Sequence, residues 1–314
     1  MAAVLTIQDP STGSQALIAP EIGFNCFRFV SRVGEHTVDV LDSLPDFLTG
    51  GSRPTKSGIP ILFPFPNRIA KGHFLWEGKE YQLPLPPGRP DAIHGFCFDR
   101  PWRVEHNDER SATGRFQLSV HAPDLLPLWP ADFILDVSYE VIGAKLHSTL
   151  RVTNPTTVPL PWGFGTHPYF KLPLAPTSDP TRCVIRAQAS RRWPLEQNLP
   201  SGQPVDVPPE ADLRNGLRHG SVALDDVYTH LIPERNQHET SITDGGLTLV
   251  QTFGIEFREL VVFTPPERPN VVCLEPYTCT TNAINLEQQG VNAGFSVLAP
   301  GASFESWIAI EVRE

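Results

Sequence analysis

Apolar and polar residues alternate with a period of two along much of the chain. In Lys145–Thr153 and in Arg115–Val120 the apolar side chains fall only on even positions. Phe133–Ile142 precedes the first of these segments, and Gly143-Ala144 between them is typical of a hairpin turn. A period of two places every second side chain on the same face of a strand. The pattern therefore predicts strands, with Phe133–Ile142 and Lys145–Thr153 paired as a hairpin.

Two further turn signals are flanked by segments of strand composition. They are Asp244-Gly245-Gly246 between Ser241–Thr243 and Leu247–Thr252, and Pro300-Gly301 between Val297–Leu298 and Ser303–Val312. Each arrangement predicts one more hairpin. Leu260–Phe263 and Val271–Leu274 are short β-branched runs, which predict buried strands.

Helical signals are few and short. Leu41–Leu48 and Asp124–Trp129 could each form one or two turns, but prolines interrupt both. The chain has no internal repeat, and its loop-rich stretches do not separate regions of different character. We therefore predict an all-β fold, a large antiparallel β-sandwich with few short helices, with residues 1–314 in a single domain.

Composition agrees with this class and excludes others. Hydrophobic residues make up 40% of the 314 residues and charged residues 19%, which argues against general disorder. The 33 prolines and 23 glycines suit many short strands joined by turns. A net charge of −10 argues against a nucleic-acid partner, because such a partner requires a broad basic surface.

The cysteines and the hydropathy pattern favour a cytoplasmic protein. The five cysteines are odd in number, widely spaced and free of any Cys-x-x-Cys pair, as expected of reduced thiols. The first residues show neither a basic segment nor a sustained apolar one, and no run approaches the roughly 20 apolar residues that span a bilayer. We expect no signal peptide and no membrane partner.

The most distinctive stretch is Pro161–Pro173, which holds His167 among aromatic residues, glycines and prolines. Gly163 and Gly165 are expected to permit turns, and Pro168 favours an extended backbone at His167. Histidine is the side chain most easily poised near neutral pH. His167 is therefore a candidate catalytic acid or ligand, and a core histidine is the alternative.

Four other polar side chains stand out by their surroundings. Glu275 ends an apolar strand, and burial there would raise its pKa and suit it to proton transfer. Arg68 is the single charge in a proline-stiffened apolar segment, so it is predicted to pair or to bind a ligand. Asp225 and Asp226 point to opposite faces of a strand, so at most one of them faces a site. The remaining histidines other than His94 lie among polar neighbours and are expected at the surface.

Standard catalytic motifs are absent, and a metal site is weakly indicated. The chain contains no Gly-x-Gly-x-x-Gly, Walker loop, His-Glu-x-x-His or Gly-x-Ser-x-Gly. His94, His167 and Glu275 could form a facial metal triad. No two of them fall at a short ligand-like spacing, so we predict no metal.

Several segments, in order, resemble the aldose 1-epimerase (galactose mutarotase) family. The matching pieces are Asn67-Arg68-Ile69, Gly72–Leu83, Ile93-His94-Gly95-Phe96, Thr166–Leu172, Leu224–Tyr228 and Leu274-Glu275-Pro276. The resemblance extends over roughly residues 15 to 312. It implies a galactose mutarotase-like supersandwich with a sugar-binding cleft. It also implies cofactor-free and metal-free interconversion of the α and β anomers of a free aldose.

The resemblance also implies roles for individual residues. Glu275 would be the general base at the C1 hydroxyl, and His167 the general acid at the ring oxygen. His94 would polarise the ring or C1 oxygen. The expected sugar contacts are Arg68, Asp225, Asn67 and Tyr169.

The sequence departs from the galactose enzymes and leaves alternatives open. His94 is followed by Gly-Phe rather than two glycines, and the Asp225 segment lacks Asp-His-Asn, so the sugar is not fixed. A hexose 6-phosphate is one alternative, with Arg191-Arg192 either binding the phosphate or lying at the surface. A non-catalytic sugar sensor and a glycosidase using Asp225 and Glu275 are others. The expected partner is a small-molecule sugar, and the protein is a monomer or a homodimer.

Overall fold

Antiparallel strand pairs make up most of the regular structure in the computed structural model, which describes residues 2–314. In chain order the strands are β1 (Leu5–Gln8), β2 (Gln15–Ala19), β3 (Asn25–Val33), β4 (His36–Asp39), β5 (Ile61–Leu62), β6 (Arg68–Ile69), β7 (His73–Trp76), β8 (Lys79–Gln82), β9 (Ala92–Ile93), β10 (Arg103–Asn107), β11 (Ser111–Gln117), β12 (Ile134–Ile142), β13 (Lys145–Thr153), β14 (Leu160–Trp162), β15 (Gly165–Thr166), β16 (Tyr169–Lys171), β17 (Val184–Ala187), β18 (Ala189–Trp193), β19 (Leu195–Glu196), β20 (Leu199–Pro200), β21 (Val205–Asp206), β22 (Leu217–Arg218), β23 (Asp225–Leu231), β24 (Gln237–Asp244), β25 (Leu247–Gly254), β26 (Glu259–Phe263), β27 (Val271–Tyr277), β28 (Ser296–Leu298) and β29 (Ser303–Arg313).

Helices are few and short, as predicted. The α-helices of the described residues are α1 (Leu118–His121) and α2 (Ala283–Gln288). The 3₁₀ turns are Phe47–Thr49, Pro54–Lys56, Ala70–Gly72, Leu126–Leu128, Pro180–Arg182 and Pro209–Ala211. The two predicted helical segments shrink to single 3₁₀ turns at their C-terminal ends, because prolines interrupt each of them. No helix of residues 2–314 has the length and apolar character needed to cross a bilayer.

Two large sheets organise the molecule. One has nine strands in the order β10-β11-β12-β13-β29-β25-β24-β17-β22. The other has the path β21-β18-β23-β26-β27-β15-β5, with β16 also paired to β27. A four-stranded sheet, β1-β2-β3-β4, adds to them. This architecture confirms the predicted all-β class.

Two of the three predicted hairpins are confirmed. Strands β12 and β13 pair across Gly143-Ala144, and β24 pairs with β25 across Gly245-Gly246. The third prediction was wrong: β28 and β29 flank Pro300-Gly301 but do not pair with each other. β28 pairs with β14, whereas β29 lies between β13 and β25 in the nine-stranded sheet. The turn therefore carries the chain from one sheet to another.

Two other local predictions were also wrong. The strand predicted for Arg115–Val120 ends at Gln117, and Leu118–His121 forms α1, which is closed by the bond from Ala122 N to the Leu118 carbonyl. His219 and His238 are each 6% exposed rather than on the surface. His219 lies against the Pro269 carbonyl, with Nε2 2.7 Å from its oxygen, so a buried partner takes the place of water.

The two large sheets share one apolar core. It contains Leu135 and Val137 of β12 together with Leu260 of β26 and Leu274 of β27. Because side chains alternate along a strand, the odd-numbered residues of β26 and β27 project from the other face of their sheet. That outer face of the β26–β27 pair carries Glu275 and forms the floor of a pocket.

Candidate functional site

A pocket of about 200 Å³ lies over strands β23, β26 and β27. It brings together seven residues for which the sequence predicted a catalytic or sugar-binding role, namely Asn67, Arg68, His94, His167, Tyr169, Asp225 and Glu275, whereas Arg191 and Arg192 lie outside it. The seven residues are spread over more than 200 positions of the chain, so the sheet pairing is what assembles them.

Glu275 and His167 are in direct contact at the floor of the pocket. Nε2 of His167 lies 3.3 Å from Oε1 of Glu275, and the two residues are 7% and 1% exposed. The other carboxyl oxygen of Glu275 accepts a short hydrogen bond from the Tyr277 hydroxyl. β16 pairs with β27 just beyond this contact, with Tyr169 opposite Cys273. This pairing fixes the distance between the histidine segment and the glutamate strand.

Burial decides where the proton of this pair resides. Burial raises the pKa of Glu275 well above its ordinary value, although the Tyr277 hydrogen bond acts in the opposite direction. Burial lowers the pKa of His167 to about 3. At a pH between these two pKa values the pair holds one proton. Burial favours the state in which both side chains are uncharged, with that proton on Glu275.

The His167 ring is held by stacking as well as by the backbone. The ring lies parallel to that of Tyr169 at a centroid distance of 4.7 Å. The main-chain N–H of His167 donates to the Pro60 carbonyl at 3.1 Å. The Tyr169 hydroxyl donates to the Thr55 carbonyl at 2.9 Å. The Arg268 guanidinium lies 4.3 Å from the Tyr169 ring centroid. The imidazole therefore sits on a support that is itself anchored.

His94 and Asn67 reach the pocket through two strained backbone positions. β6 pairs with β9, with Arg68 opposite Ile93, and the His94 N–H donates to the Asn67 carbonyl at 2.8 Å. Asn67 has φ 53° and His94 has φ 71°, in the left-handed region that non-glycine residues rarely occupy. Strain of this kind costs of the order of 1–3 kcal/mol per residue and clusters at functional sites. Here it aims both side chains at the pocket.

Gly95 is required beside His94. A Cβ at this position would lie 2.1 Å from the Phe63 carbonyl oxygen, and its φ is 72°. The His94 ring lies 5.7 Å from that of His167, centroid to centroid. Burial and the positive charge of neighbouring groups, with His167 first, lower the pKa of His94 well below its usual value. His94 is therefore neutral at physiological pH.

Arg68 and Asp225 both line the pocket, and their opposite charges act on each other. Burial lowers the pKa of the Arg68 guanidinium, and the Asp225 charge opposes that change. Burial raises the pKa of Asp225, and Arg68 opposes that change in turn. The Arg68 backbone is braced by Asn282, whose N–H donates to its carbonyl at 2.8 Å. The strand prediction that only one of the paired aspartates faces the site is confirmed, since Asp226 instead contacts Arg192 at 2.6 Å.

One local expectation about this region was wrong, and two aromatic residues of the same segment lie in the core. Gly163 and Gly165 do not serve as turn residues, because neither has a positive φ; they permit close packing. A Cβ at Gly165 would lie 2.3 Å from the Tyr277 ring, and one at Gly163 would lie 2.3 Å from the Cys279 sulfur. Trp162 and Phe164 belong to the core and do not line the pocket.

The sequence missed several residues that complete the pocket. Tyr277, Val261 and Phe263 line it from β26 and β27. All three have odd residue numbers on β26 or β27 and therefore share the face of Glu275, so the alternation along these strands could have indicated them. Arg53 and Arg89 also line it, from loops whose approach no strand pattern reveals.

One set of side chains in the pocket could hold a metal ion. Donor atoms of His167, Cys273 and Glu275 lie within 4.8 Å of one another, so Cys273 rather than His94 completes the set. Burial raises the pKa of the Cys273 thiol well above its usual value. A metal would have to displace protons from both the thiol and the carboxyl group, against the positive charge of Arg68 nearby.

Comparisons with known proteins show which sequences resemble this chain. A sequence model of the family described as aldose 1-epimerase matches residues 33–311. The uncharacterized Escherichia coli protein YphB is 32% identical over 171 residues, which are 47% of this chain and 50% of that protein. The galactose mutarotase of Rattus norvegicus is 30% identical over 158 residues, 49% of this chain and 44% of that protein. The matched stretch spans about half the length of these curated relatives.

Solved structures share the fold over nearly the whole chain. A galactose mutarotase-like protein from Clostridium acetobutylicum superposes with a TM-score of 0.84 at 24% identity, covering 96% of this chain and 93% of that one. A galactose 1-epimerase from Lactobacillus acidophilus gives a TM-score of 0.74 at 15% identity, covering 100% and 99%. At such low identities the likeness concerns the architecture of the sheets.

Proposed function

Because the chain belongs to the aldose 1-epimerase family, we propose that it interconverts the α and β anomers of a free hexose by acid–base ring opening. The observation that carries this proposal is the contact between His167 and Glu275, 3.3 Å apart and buried at the floor of a polar pocket. Anomer exchange needs one proton removed and one delivered, with no net change in redox state. A buried pair that holds one proton supplies both functions.

Glu275 accepts the proton of the C1 hydroxyl while His167 donates a proton to the ring oxygen, and the bond between C1 and the ring oxygen breaks. The electron pair of the C1 hydroxyl forms the aldehyde. Rotation about C1–C2 presents the other face of the carbonyl, and the ring oxygen then attacks it with the two residues in exchanged roles. Positioned acid or base groups of this kind contribute about 10²- to 10⁴-fold each.

Substrate binding moves the shared proton into position. Burial alone leaves it on Glu275, as described above. A sugar hydroxyl that donates to the carboxylate stabilises the charged form, since hydrogen bonding to an ion favours that ion. The proton then crosses to His167 over the 3.3 Å between Oε1 and Nε2.

The other polar residues hold the sugar. Arg68 and Asp225, which both line the pocket, would bind hydroxyl groups, and Asn67 would add an amide contact. His94 is neutral, so its free ring nitrogen or N–H would polarise the ring or C1 oxygen without charging it. Tyr169 has its hydroxyl bound to Thr55, so it would contribute the support of His167 and an apolar edge.

The test is the relaxation of freshly dissolved sugars. Polarimetry of α-D-glucose and α-D-galactose, and NMR exchange of α-D-glucose 6-phosphate, would be compared with and without the protein. Acceleration of any of them supports an epimerase. A protein that binds these sugars and accelerates none of them would instead be a non-catalytic sugar-binding protein, and the proposal would fail.

A further inference from the structure

The pocket concentrates positive charge on a protein that is strongly negative overall. The chain has a net charge of −10, yet Arg53, Lys56, Arg68 and Arg89 all line this one pocket. Lys56 is neutralised by Glu267 at 3.2 Å. The Asp225 charge acts on Arg68, as described above. The other two guanidinium groups that line the pocket belong to Arg53 and Arg89.

Neither Arg53 nor Arg89 forms an ion pair among the described residues, although the Asp99 carboxylate, 3.9 Å from Arg100, acts on Arg53 from the adjoining groove. Among residues 2–314, no carboxylate oxygen lies within 4.0 Å of either guanidinium group. Arg53 is partly buried, with its guanidinium 5.6 Å from the centroid of the Phe98 ring. Burial and the nearby Arg89 charge lower the pKa of Arg53. Two adjacent guanidinium groups repel each other unless an anion lies between them, and their planar donors suit phosphate, sulfonate and carboxylate groups.

Their position relative to the reacting centre is informative. The charges of both arginines act on His94, whose ring lies 5.7 Å from the proposed acid His167. They also line an adjoining groove of about 500 Å³, so they stand where the pocket opens toward that groove. If His167 serves the ring oxygen, this wall is the ring-oxygen side of the sugar. C5 carries both the ring oxygen and C6, so the C6 substituent projects from that side.

We propose that Arg53 and Arg89 form a subsite for an anionic group on the C6 side of the sugar, so that the natural substrate is an anionic aldose. The shared chemistry is a phosphate, sulfonate or carboxylate that accepts hydrogen bonds from both guanidinium groups. This inference rests on the proposed function for the orientation of the sugar. Arg191-Arg192, the alternative phosphate site, lie outside the pocket and contact Asp206 and Asp226.

Binding can be measured independently of catalysis. 1,5-Anhydroglucitol 6-phosphate and 1,5-anhydroglucitol lack the anomeric hydroxyl and cannot react, so their Kd values report the pocket alone. Calorimetry would compare the wild-type protein with Arg53→Met and Arg89→Met. Arg191→Met is the matched control, because it removes one surface guanidinium that lies against Asp206 outside the pocket.

We expect the phosphate compound to bind at least about tenfold more tightly than the neutral one, with an advantage that shrinks as salt is added. Each pocket variant should remove most of that advantage and leave the neutral compound unchanged, whereas Arg191→Met should alter neither. Equal affinities of the two compounds, or unchanged phosphate binding in both variants, would overturn the inference. Circular dichroism confirms that each variant is folded.

Activity assays identify the anion and separate this inference from the proposed function. Glucose 6-phosphate, glucuronate and a 6-deoxy-6-sulfonate of glucose would be compared in NMR exchange, and the preferred compound identifies the group. Epimerisation of neutral sugars with no preference for any anionic one retains the proposed function and refutes the subsite. Arginine-dependent binding of the phosphate with no epimerisation of any sugar retains the subsite and refutes the enzyme.

Discussion

Tyr277→Phe isolates one interaction of the proposed base. The substitution removes only the hydroxyl that donates to Glu275. Both residues are buried, so water cannot replace the lost donor easily. A hydrogen bond to a charged group contributes roughly 1.5–3 kcal/mol. That bond favours the carboxylate, so its loss should raise the pKa of Glu275 further.

The rate should fall with that rise. The carboxylate form is the proton acceptor, so destabilising it by about 1.5–3 kcal/mol lowers the rate of ring opening by about 10- to 100-fold. The alkaline limb of the pH profile reports the loss of the proton shared by the pair, so it should move to higher pH. NMR exchange between anomers measured across pH gives both quantities.

A matched variant tests whether the effect is specific. Tyr228 is also buried, and its hydroxyl donates to the Ala211 carbonyl at 2.8 Å, away from the pocket. Tyr228→Phe should lower thermal stability without moving the alkaline limb. If Tyr277→Phe leaves both the rate and the limb unchanged, the hydrogen bond does not tune the base and the reasoning is refuted.

Three further expectations follow from the pocket. The acid limb of kcat/KM should lie near pH 3 rather than 6.5, because burial lowers the pKa of His167 to about 3, and a profile from pH 3 to 8 measures it. Gly165→Ala should lower the melting temperature, at a cost of about 1–3 kcal/mol, because its Cβ would lie 2.3 Å from the Tyr277 ring. Asp225→Asn should raise KM about tenfold with a smaller effect on kcat in steady-state assays, since it removes a charged hydrogen-bond acceptor for a hydroxyl.

Controls for these three come from the same chain. Gly246→Ala places its Cβ in open space and should leave the melting temperature unchanged. Asp226→Asn alters the adjacent carboxylate, which pairs with Arg192 outside the pocket, and should leave KM unchanged. An acid limb near pH 6.5 would contradict the first expectation. An unchanged melting temperature in Gly165→Ala would contradict the second. Equal changes of KM in Asp225→Asn and Asp226→Asn would contradict the third.

The sequence predicted the parts of the fold that depend on local pattern. The hairpin across Gly143-Ala144 was readable because alternation and turn chemistry are both encoded within about 20 residues. The pairing of β28 with β14 was not, because it joins segments more than 130 positions apart and Pro300-Gly301 resembles a hairpin turn. Long-range pairing depends on the packing of the whole sandwich, which no local window contains.

The same distinction applies to the site. Glu275 and His167 were identifiable from a buried strand and a pinned loop, although β27 continues past Glu275 to Tyr277. The family resemblance brought the other residues together. Arg53 and Arg89 carry no such signal, because only the folded structure shows that both guanidinium groups line the pocket. The packing role of Gly165 against Tyr277 is likewise visible only once the two strands are paired.

The exchange rate between anomers in Glu275→Gln tests the central claim most directly. Glu259→Gln is the matched control: Glu259 is a fully buried carboxyl on adjacent β26, and burial raises its pKa to about 8, so the neutral amide resembles its state at pH 7. NMR exchange should show turnover in the wild type and Glu259→Gln. It should show no turnover in Glu275→Gln, which should still bind the sugar. Normal epimerisation by Glu275→Gln would contradict the assignment of the base and, with it, the proposed mechanism.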